Sequence, residues 1–159
     1  MSMLPIWTFK RLESETITTD DDAYTAGDVV GGLITFTDFA KNREGDKSGG
    51  YVSDVWLSDA ANQGTSLVLY LFDAVPATIA DDAAFTLSVD DSLKCFARIP
   101  ITSYSDVLKT GGGTIKWAHV DSLQHEFQPG DGNIYGYLVG APNYGTTDAV
   151  RIVLGGFTY

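Results

Sequence analysis

The sequence predicts an all-β protein: a single-domain β-sandwich, jelly-roll-like, with about nine strands and one or two short helical turns. Short segments follow one another along the chain, and in each of them apolar residues either alternate with polar ones or run continuously. Clusters of Gly, Pro, Asn and Asp separate these segments, and 17 glycines among 159 residues exceed the usual share of about 7%. Many short strands joined by such turns favour a sandwich.

The strand pattern occurs in nine segments. The first sets Trp7 and Phe9 against Thr8 and Lys10, which is typical of a strand or an extended arm. The fourth, S-L-V-L-Y-L-F, is continuously apolar and predicts a central strand covered on both faces. The strands are predicted at residues 5–12, 32–39, 51–57, 66–72, 85–89, 96–102, 114–120, 134–139 and 149–154. Single helical turns are predicted at 78–84 and 90–95.

A Gly-Gly pair interrupts the second strand pattern in D-V-V-G-G-L-I-T-F, residues 28–36. Glycine inside a strand pattern usually marks a bulge, so we expect strand pieces at 29–30 and 33–36 with Gly31 and Gly32 as the bend between them. The three acids that precede this stretch, Asp20 to Asp22, are interpreted as a solvated lead-in. We predict an extended N-terminal arm over residues 1–20 and one β-sandwich domain over residues 21–159.

The charge balance narrows the classes of partner. The chain has 21 acids against 10 bases, a formal net charge of −11, and the excess is spread evenly along it. No basic region is present to neutralise phosphates, so we expect no nucleic-acid binding, whereas docking to a basic partner is favoured. No apolar stretch approaches about 18 residues, and the first residues lack the pattern of a signal peptide, so no membrane association is expected.

The sequence contains no recognisable catalytic or metal-binding pattern. His119 and His125 are the only histidines, and together with the single cysteine, Cys95, they do not have zinc-ligand spacing. The Asp pairs in turns lack the spacing of a calcium loop, and no nucleophile elbow is present. We therefore expect no enzymatic activity, no catalytic residue, no metal and no cofactor.

Aromatic residues are frequent in the last third of the chain. Such residues either fill the core of a sandwich or form an interface, since Tyr and Trp bury a large area while keeping a polar tip. The sequence leaves both possibilities open. The residues are Tyr104, Tyr135, Tyr137, Tyr144, Phe157 and Tyr159.

A resemblance adds a biological expectation. The segments 24–36, 48–59, 67–73 and 81–85, with Pro76, resemble a group of small virion proteins of tailed phages that are capsid decoration, or cement, proteins. The likeness covers residues 24–101 and carries over no catalytic residue.

The resemblance implies a structural protein that binds the outside of the assembled capsid and stabilises it. Its expected partner is the major capsid protein, its expected state a homotrimer, and its expected location the capsid surface of the virion after synthesis in the host cytoplasm. We predict that Ile6, Trp7 and Phe9 of the N-terminal arm bind the partner, because apolar anchors supply most of the energy of an interface. The alternatives are a receptor- or carbohydrate-binding head domain of a phage tail or fibre and, third, a small hydrolase.

Overall fold

The structure is a computed structural model that describes residues 7–14, 17–19, 23–144 and 150–159. Within these residues the chain forms ten strands and one short helix. The strands are β1 (Thr8–Glu13), β2 (Asp28–Phe36), β3 (Gly50–Asp59), β4 (Leu67–Phe72), β5 (Cys95–Ile101), β6 (Ser105–Leu108), β7 (Thr114–Val120), β8 (His125–Phe127), β9 (Ile134–Gly140) and β10 (Val150–Thr158). The helix is α1 (Val89–Lys94).

The strands form two antiparallel sheets. One has six strands in the order β1-β10-β3-β7-β6, with β8 paired to β3 beside the end of β7. The other has four strands in the order β2-β9-β4-β5. When β6, β7 and β8 are counted as one unit, the orders β1-β10-β3-β7 and β2-β9-β4-β5 are those of a jelly roll built from two Greek keys. The predicted fold class is confirmed, with ten strands where about nine were expected.

The interruption of β2 lies where the sequence predicts it. Gly31 and Gly32 have φ values of +79° and +73°, a region that glycine adopts without strain. The pairing of β2 with β9 shifts between Val30 and Ile34, so the two glycines form a bulge. A carboxylate oxygen of Asp81 accepts a hydrogen bond from the Gly31 N–H at 2.7 Å, which satisfies a donor that the bulge removes from the ladder.

Some predicted elements are wrong. Residues 85–89 form no strand, because Phe85 and Leu87 pack onto the four-stranded sheet from an irregular segment instead of pairing within it. Residues 78–84 form an irregular segment with a turn near Asp82, whose φ is +58°. The helical turn predicted at 90–95 is confirmed as α1, which begins after the N-cap Ser88. Two short strands, β6 and β8, were not predicted, and β10 continues through Gly155 and Gly156.

The part of the predicted N-terminal arm that the structure describes is largely β1. This strand pairs along its whole length with β10, from Thr8 opposite Thr158 to Glu13 opposite Val153, and it forms one edge of the six-stranded sheet. The interpretation of this segment as a strand is therefore confirmed for residues 8–12. Ile6 and the acidic residues 20–22 lie outside the described residues.

The main core lies between the two sheets. It contains inward side chains from both of them, with Leu57 and Ile152 from the six-stranded sheet and Leu69 and Leu138 from the four-stranded sheet. A second, smaller core lies on the opposite side of the four-stranded sheet, where Ile79, Phe85 and Leu87 pack on outward side chains. We call residues 73–88 the cover segment. The central strand β4 is thus covered on both faces, as its continuous apolar pattern predicts.

Candidate binding face

The outer surface of the six-stranded sheet carries a continuous row of aromatic and charged side chains. Alternation along β3 directs Val52, Val55 and Leu57 into the core and leaves Tyr51 and Trp56 on the other side. The strand registers place Phe157 and Glu126 on either side of Tyr51. We call this surface the open face. Its residues are Trp7, Phe9, Arg11, Tyr51, Asp54, Trp56, Trp117, His119, Glu126, Phe157 and Tyr159.

Five aromatic side chains meet at one end of the open face. The rings of Trp7 and Tyr51 lie 5.6 Å apart at 63°, and those of Trp7 and Tyr159 lie 5.1 Å apart at 84°. Phe157 joins this group, 5.3 Å from Phe9 and 5.2 Å from Tyr51. Edge-to-face contacts of this kind add about 0.5–1.5 kcal/mol beyond area burial, so the rings hold one another in place. We call these five residues the aromatic corner.

The aromatic corner borders a pocket of about 390 Å³. The aromatic residues Trp7, Tyr51 and Tyr159 line it together with the polar residues Gln124 and Glu126. Two glycines let the strands approach closely enough to form it. A Cβ at Gly49 would lie 2.7 Å from the Tyr159 hydroxyl, and one at Gly50, which lines the pocket, would overlap the Phe157 carbonyl oxygen.

A second group of side chains is stacked further along the open face. The Arg11 guanidinium lies 4.4 Å above the Trp56 ring, and the ring of His119 is parallel to Trp56 at 4.7 Å. His119 Nε2 lies 3.3 Å from a carboxylate oxygen of Asp54, and Trp117 lies 5.9 Å from the His119 ring. The stack places the Arg11 cation directly on an aromatic ring, which is favourable because the face of the ring carries a partial negative charge.

Two of the three predicted partner-binding residues lie on the open face. Trp7 is 49% exposed and Phe9 is 56% exposed, although both are large and apolar. Ile6 lies outside the described residues. No local pattern groups Tyr51, Trp56 and Glu126 with them, since these residues come from strands that are connected to β1 only through β10. The signal present in the sequence was the alternation of Tyr51 and Trp56 with core residues.

The aromatic residues of the last third divide between the two possibilities that the sequence left open. Tyr135, Tyr137 and Tyr144 are buried, so the interpretation as core residues holds for them. Phe157 and Tyr159 lie in the aromatic corner, and Tyr159 is 43% exposed. Tyr104 is half-buried and donates a hydrogen bond to the Thr65 carbonyl at 2.8 Å.

Carboxylates at the end of β3 and within α1 accept hydrogen bonds from nearby groups of the chain. Asp59 accepts from the backbone N–H groups of Ala61, Gln63 and Gly64 at 2.9 Å. Asp91 accepts from the Lys94 ammonium at 2.8 Å and from the Ser88 hydroxyl at 2.9 Å, and these bonds lower the pKa of its carboxyl. Among the described residues no three His, Cys, Asp or Glu side chains converge in a way that would hold a metal ion.

The described part of the chain contains no helix that is both long and apolar enough to cross a membrane. We found no family model that matches the chain and no curated protein with significant similarity to it.

Proposed function

We propose that this chain is a capsid decoration protein of a tailed phage, a structural and non-enzymatic protein that binds the outside of the assembled capsid through its open face. The observation that carries the proposal is the aromatic corner, in which Trp7, Phe9 and Tyr159 are exposed on the outer surface of the six-stranded sheet. The resemblance of residues 24–101 to phage decoration proteins supplies the identity of the partner, the major capsid protein.

The composition of the aromatic corner suits a protein interface. Large aromatic side chains are enriched in interfaces and in their energetic hot spots, while charged residues are depleted from interface centres. In this chain the exposed rings form the centre of the proposed interface, and the charged residues Glu126 and Arg11 lie beside them. A partner that covered Trp7 and Phe9 would remove apolar surface from water. Burial of such surface contributes about 25 cal/mol per Å² to the favourable free energy of binding.

The open face is also held in place before any partner arrives. Phe9 and Phe157 lie on directly paired positions of β1 and β10, and Tyr51 is paired with Phe157 across β3. Side chains fixed in this way lose little conformational freedom on binding, which raises affinity for a given contact area. Stabilisation of the capsid then follows from mass action, because a ligand that binds only the assembled shell stabilises it in proportion to its affinity and concentration.

A rebinding experiment tests the proposal. Virions stripped of the protein are mixed with the wild-type chain, with a Trp7→Ala/Phe9→Ala double variant, or with Leu93→Ala as a control. Leu93 is 81% exposed but lies on α1, which packs by the four-stranded sheet. We expect the wild type and the control to rebind and to raise the temperature at which heated particles release their genome, and the double variant to fail to bind. Equal heat stability with and without the wild-type chain would overturn the proposal.

The pocket supports a second candidate, the receptor- or carbohydrate-binding head domain of a phage tail or fibre. Aromatic walls with an amide and a carboxylate at the rim, formed by Gln124 and Glu126, also suit a sugar ring and its hydroxyl groups. Immunogold labelling of intact virions separates the two candidates. Label on the head supports the decoration protein, whereas label on the tail, together with binding on a glycan array, supports the alternative.

Light scattering of the purified chain measures whether it forms the expected trimer.

A further inference from the structure

We infer that the pocket at the aromatic corner is a cage for a cationic side chain, and that it accepts a lysine or arginine of the capsid protein. This inference rests on the proposed function, since it specifies the chemical group that the open face binds there. Three features of the pocket point to a cation: the orientation of its aromatic rings, the charge around them and its size.

Three aromatic residues line the pocket, and Trp7 meets the other two at steep angles. Its ring lies at 63° to that of Tyr51 and at 84° to that of Tyr159, so the lining offers aromatic surfaces of different orientation to a bound group. The face of an aromatic ring attracts a cation, and Trp does so most strongly. Tyr159 is positioned by its backbone, because its N–H donates to the Gly49 carbonyl at 3.3 Å and its carbonyl accepts from the Ser48 hydroxyl.

The charge around the pocket has the sign that a cation requires. Glu126 lies directly opposite Tyr51 in the ladder of β3 and β8, which places its carboxylate beside one of the rings. None of the described residues that line the pocket is Lys or Arg. The chain as a whole carries a net charge of −11, which adds long-range attraction for a basic partner. An anionic ligand would meet repulsion from all of these groups.

The open face already contains one pairing of the proposed kind. The Arg11 guanidinium lies 4.4 Å from the centre of the Trp56 ring on the same surface. The pocket offers comparable rings to a cation that comes from outside the chain. Its volume of about 390 Å³ is at the lower end of the range for ligand pockets, which suits one long side chain.

A titration of the isolated chain tests the cage directly. The probes are N-acetyl-lysine methylamide, N-acetyl-arginine methylamide and, as a neutral sugar, maltose, each followed by Trp fluorescence and by the NMR signals of Trp7 and Tyr51. We expect a saturable shift with one or both cationic probes and none with maltose. Trp7→Ala should abolish the shift, and Glu126→Gln should weaken binding about tenfold while leaving the rest of the NMR spectrum unchanged. Binding of maltose without binding of either cation would overturn the cage.

Capsid binding gives an independent readout with a charge-matched control. Glu126→Lys places a cation at the rim of the pocket, whereas Asp90→Lys makes a similar charge change on the exposed part of α1. We expect Glu126→Lys to bind stripped virions at least about tenfold more weakly than Asp90→Lys. If the two variants bind equally while Trp7→Ala/Phe9→Ala still fails to bind, the cage is wrong and the docking face stands. If the wild type does not bind virions at all, the proposed function fails, and the titration still decides about the cage.

Discussion

The two sheets of this jelly roll differ in what lies on their outer surfaces. Outward aromatic side chains of the four-stranded sheet, including Tyr70 and Tyr137, lie under the cover segment and pack on Phe85 at 4.4 Å and 5.7 Å. Outward aromatic side chains of the six-stranded sheet remain in contact with solvent, with Trp7 and Phe9 about half exposed. The same strand pattern thus produces a second core on one side of the molecule and the open face on the other.

This difference indicates that the covered face contributes mainly to stability, whereas the open face is available for binding. Hydrogen bonds as well as apolar contacts attach the cover segment to its sheet. The Tyr137 hydroxyl donates to the Ala77 carbonyl at 2.8 Å and accepts from the Ile79 N–H at 2.9 Å. Burial raises the pKa of Tyr137 above its ordinary value, so its hydroxyl stays protonated to a higher pH than that of an exposed tyrosine. On the open face, the described residues of the aromatic corner contact one another and leave their outer surfaces free for a partner.

The largest loss of stability is expected from a substitution at a point where strands of the open face lie very close together. A Cβ at Gly50 would overlap the Phe157 carbonyl oxygen and would lie 2.9 Å from the ring of Phe127. Since backbone cannot move aside, Gly50→Ala should lower the free energy of unfolding by about 4 kcal/mol and distort the pocket. Gly111→Ala is the control, because Gly111 has φ +89° with open space around it and should cost only about 1–2 kcal/mol. Urea denaturation measures both; similar losses would contradict the explanation.

A pair of Phe→Ala substitutions compares the two outer faces directly. Phe85→Ala removes a ring that packs on Tyr70 and Tyr137, and should lower the free energy of unfolding by about 2–3 kcal/mol. Phe9→Ala removes a ring that is 56% exposed and should cost less than about 1 kcal/mol while weakening capsid binding. Urea denaturation gives the stabilities. Equal destabilisation by the two substitutions would remove the distinction between a covered and an open face.

A smaller loss is expected when only the hydrogen bonds of the cover segment are removed. Tyr137→Phe deprives the Ile79 N–H and the Ala77 carbonyl of their partner and should cost about 1–2 kcal/mol. Hydrogen exchange should show faster exchange of the Ile79 amide while amides of β3 and β10 exchange in proportion to global stability alone. Unchanged exchange at Ile79 would indicate that apolar packing alone holds the cover segment.

The smallest change in stability is expected at the contact between α1 and the start of the cover segment, and it should depend on pH. Lys94 links α1 to this segment, because its ammonium donates to the Val75 carbonyl at 3.0 Å and to Asp91 at 2.8 Å. The lowered pKa of Asp91 means that its stabilising effect is present above the unfolded pKa of about 4 and is lost as the pH falls through the folded value. Asp91→Asn should therefore be less stable than the wild type at pH 7, and the difference should shrink below about pH 4. Thermal unfolding across this range measures it, and a constant difference would contradict the assignment.

Local patterns were sufficient to predict most strands. The alternation at 51–57, the apolar run at 66–72 and the glycine bulge at 31–32 were placed correctly, because each depends on neighbours within the segment. Residues 85–89 were misassigned, because Phe85 and Leu87 have strand-like spacing but are buried by packing on another element. β8 has only three residues, so its local signal is too weak to predict a strand. It forms because it pairs with β3, a long-range contact that the local pattern does not contain.

The sequence by itself determined the all-β class, the bulge in β2 and the apolar character of Trp7 and Phe9. These properties arise from side-chain alternation and backbone preference over a few residues. Only the tertiary structure decided that Trp7, Tyr51, Glu126 and Tyr159 surround one pocket, because long-range strand pairing brings together residues that are far apart in the chain. It also decided which outward aromatic residues are covered, since burial depends on where the cover segment packs and not on the pattern of the strands beneath it.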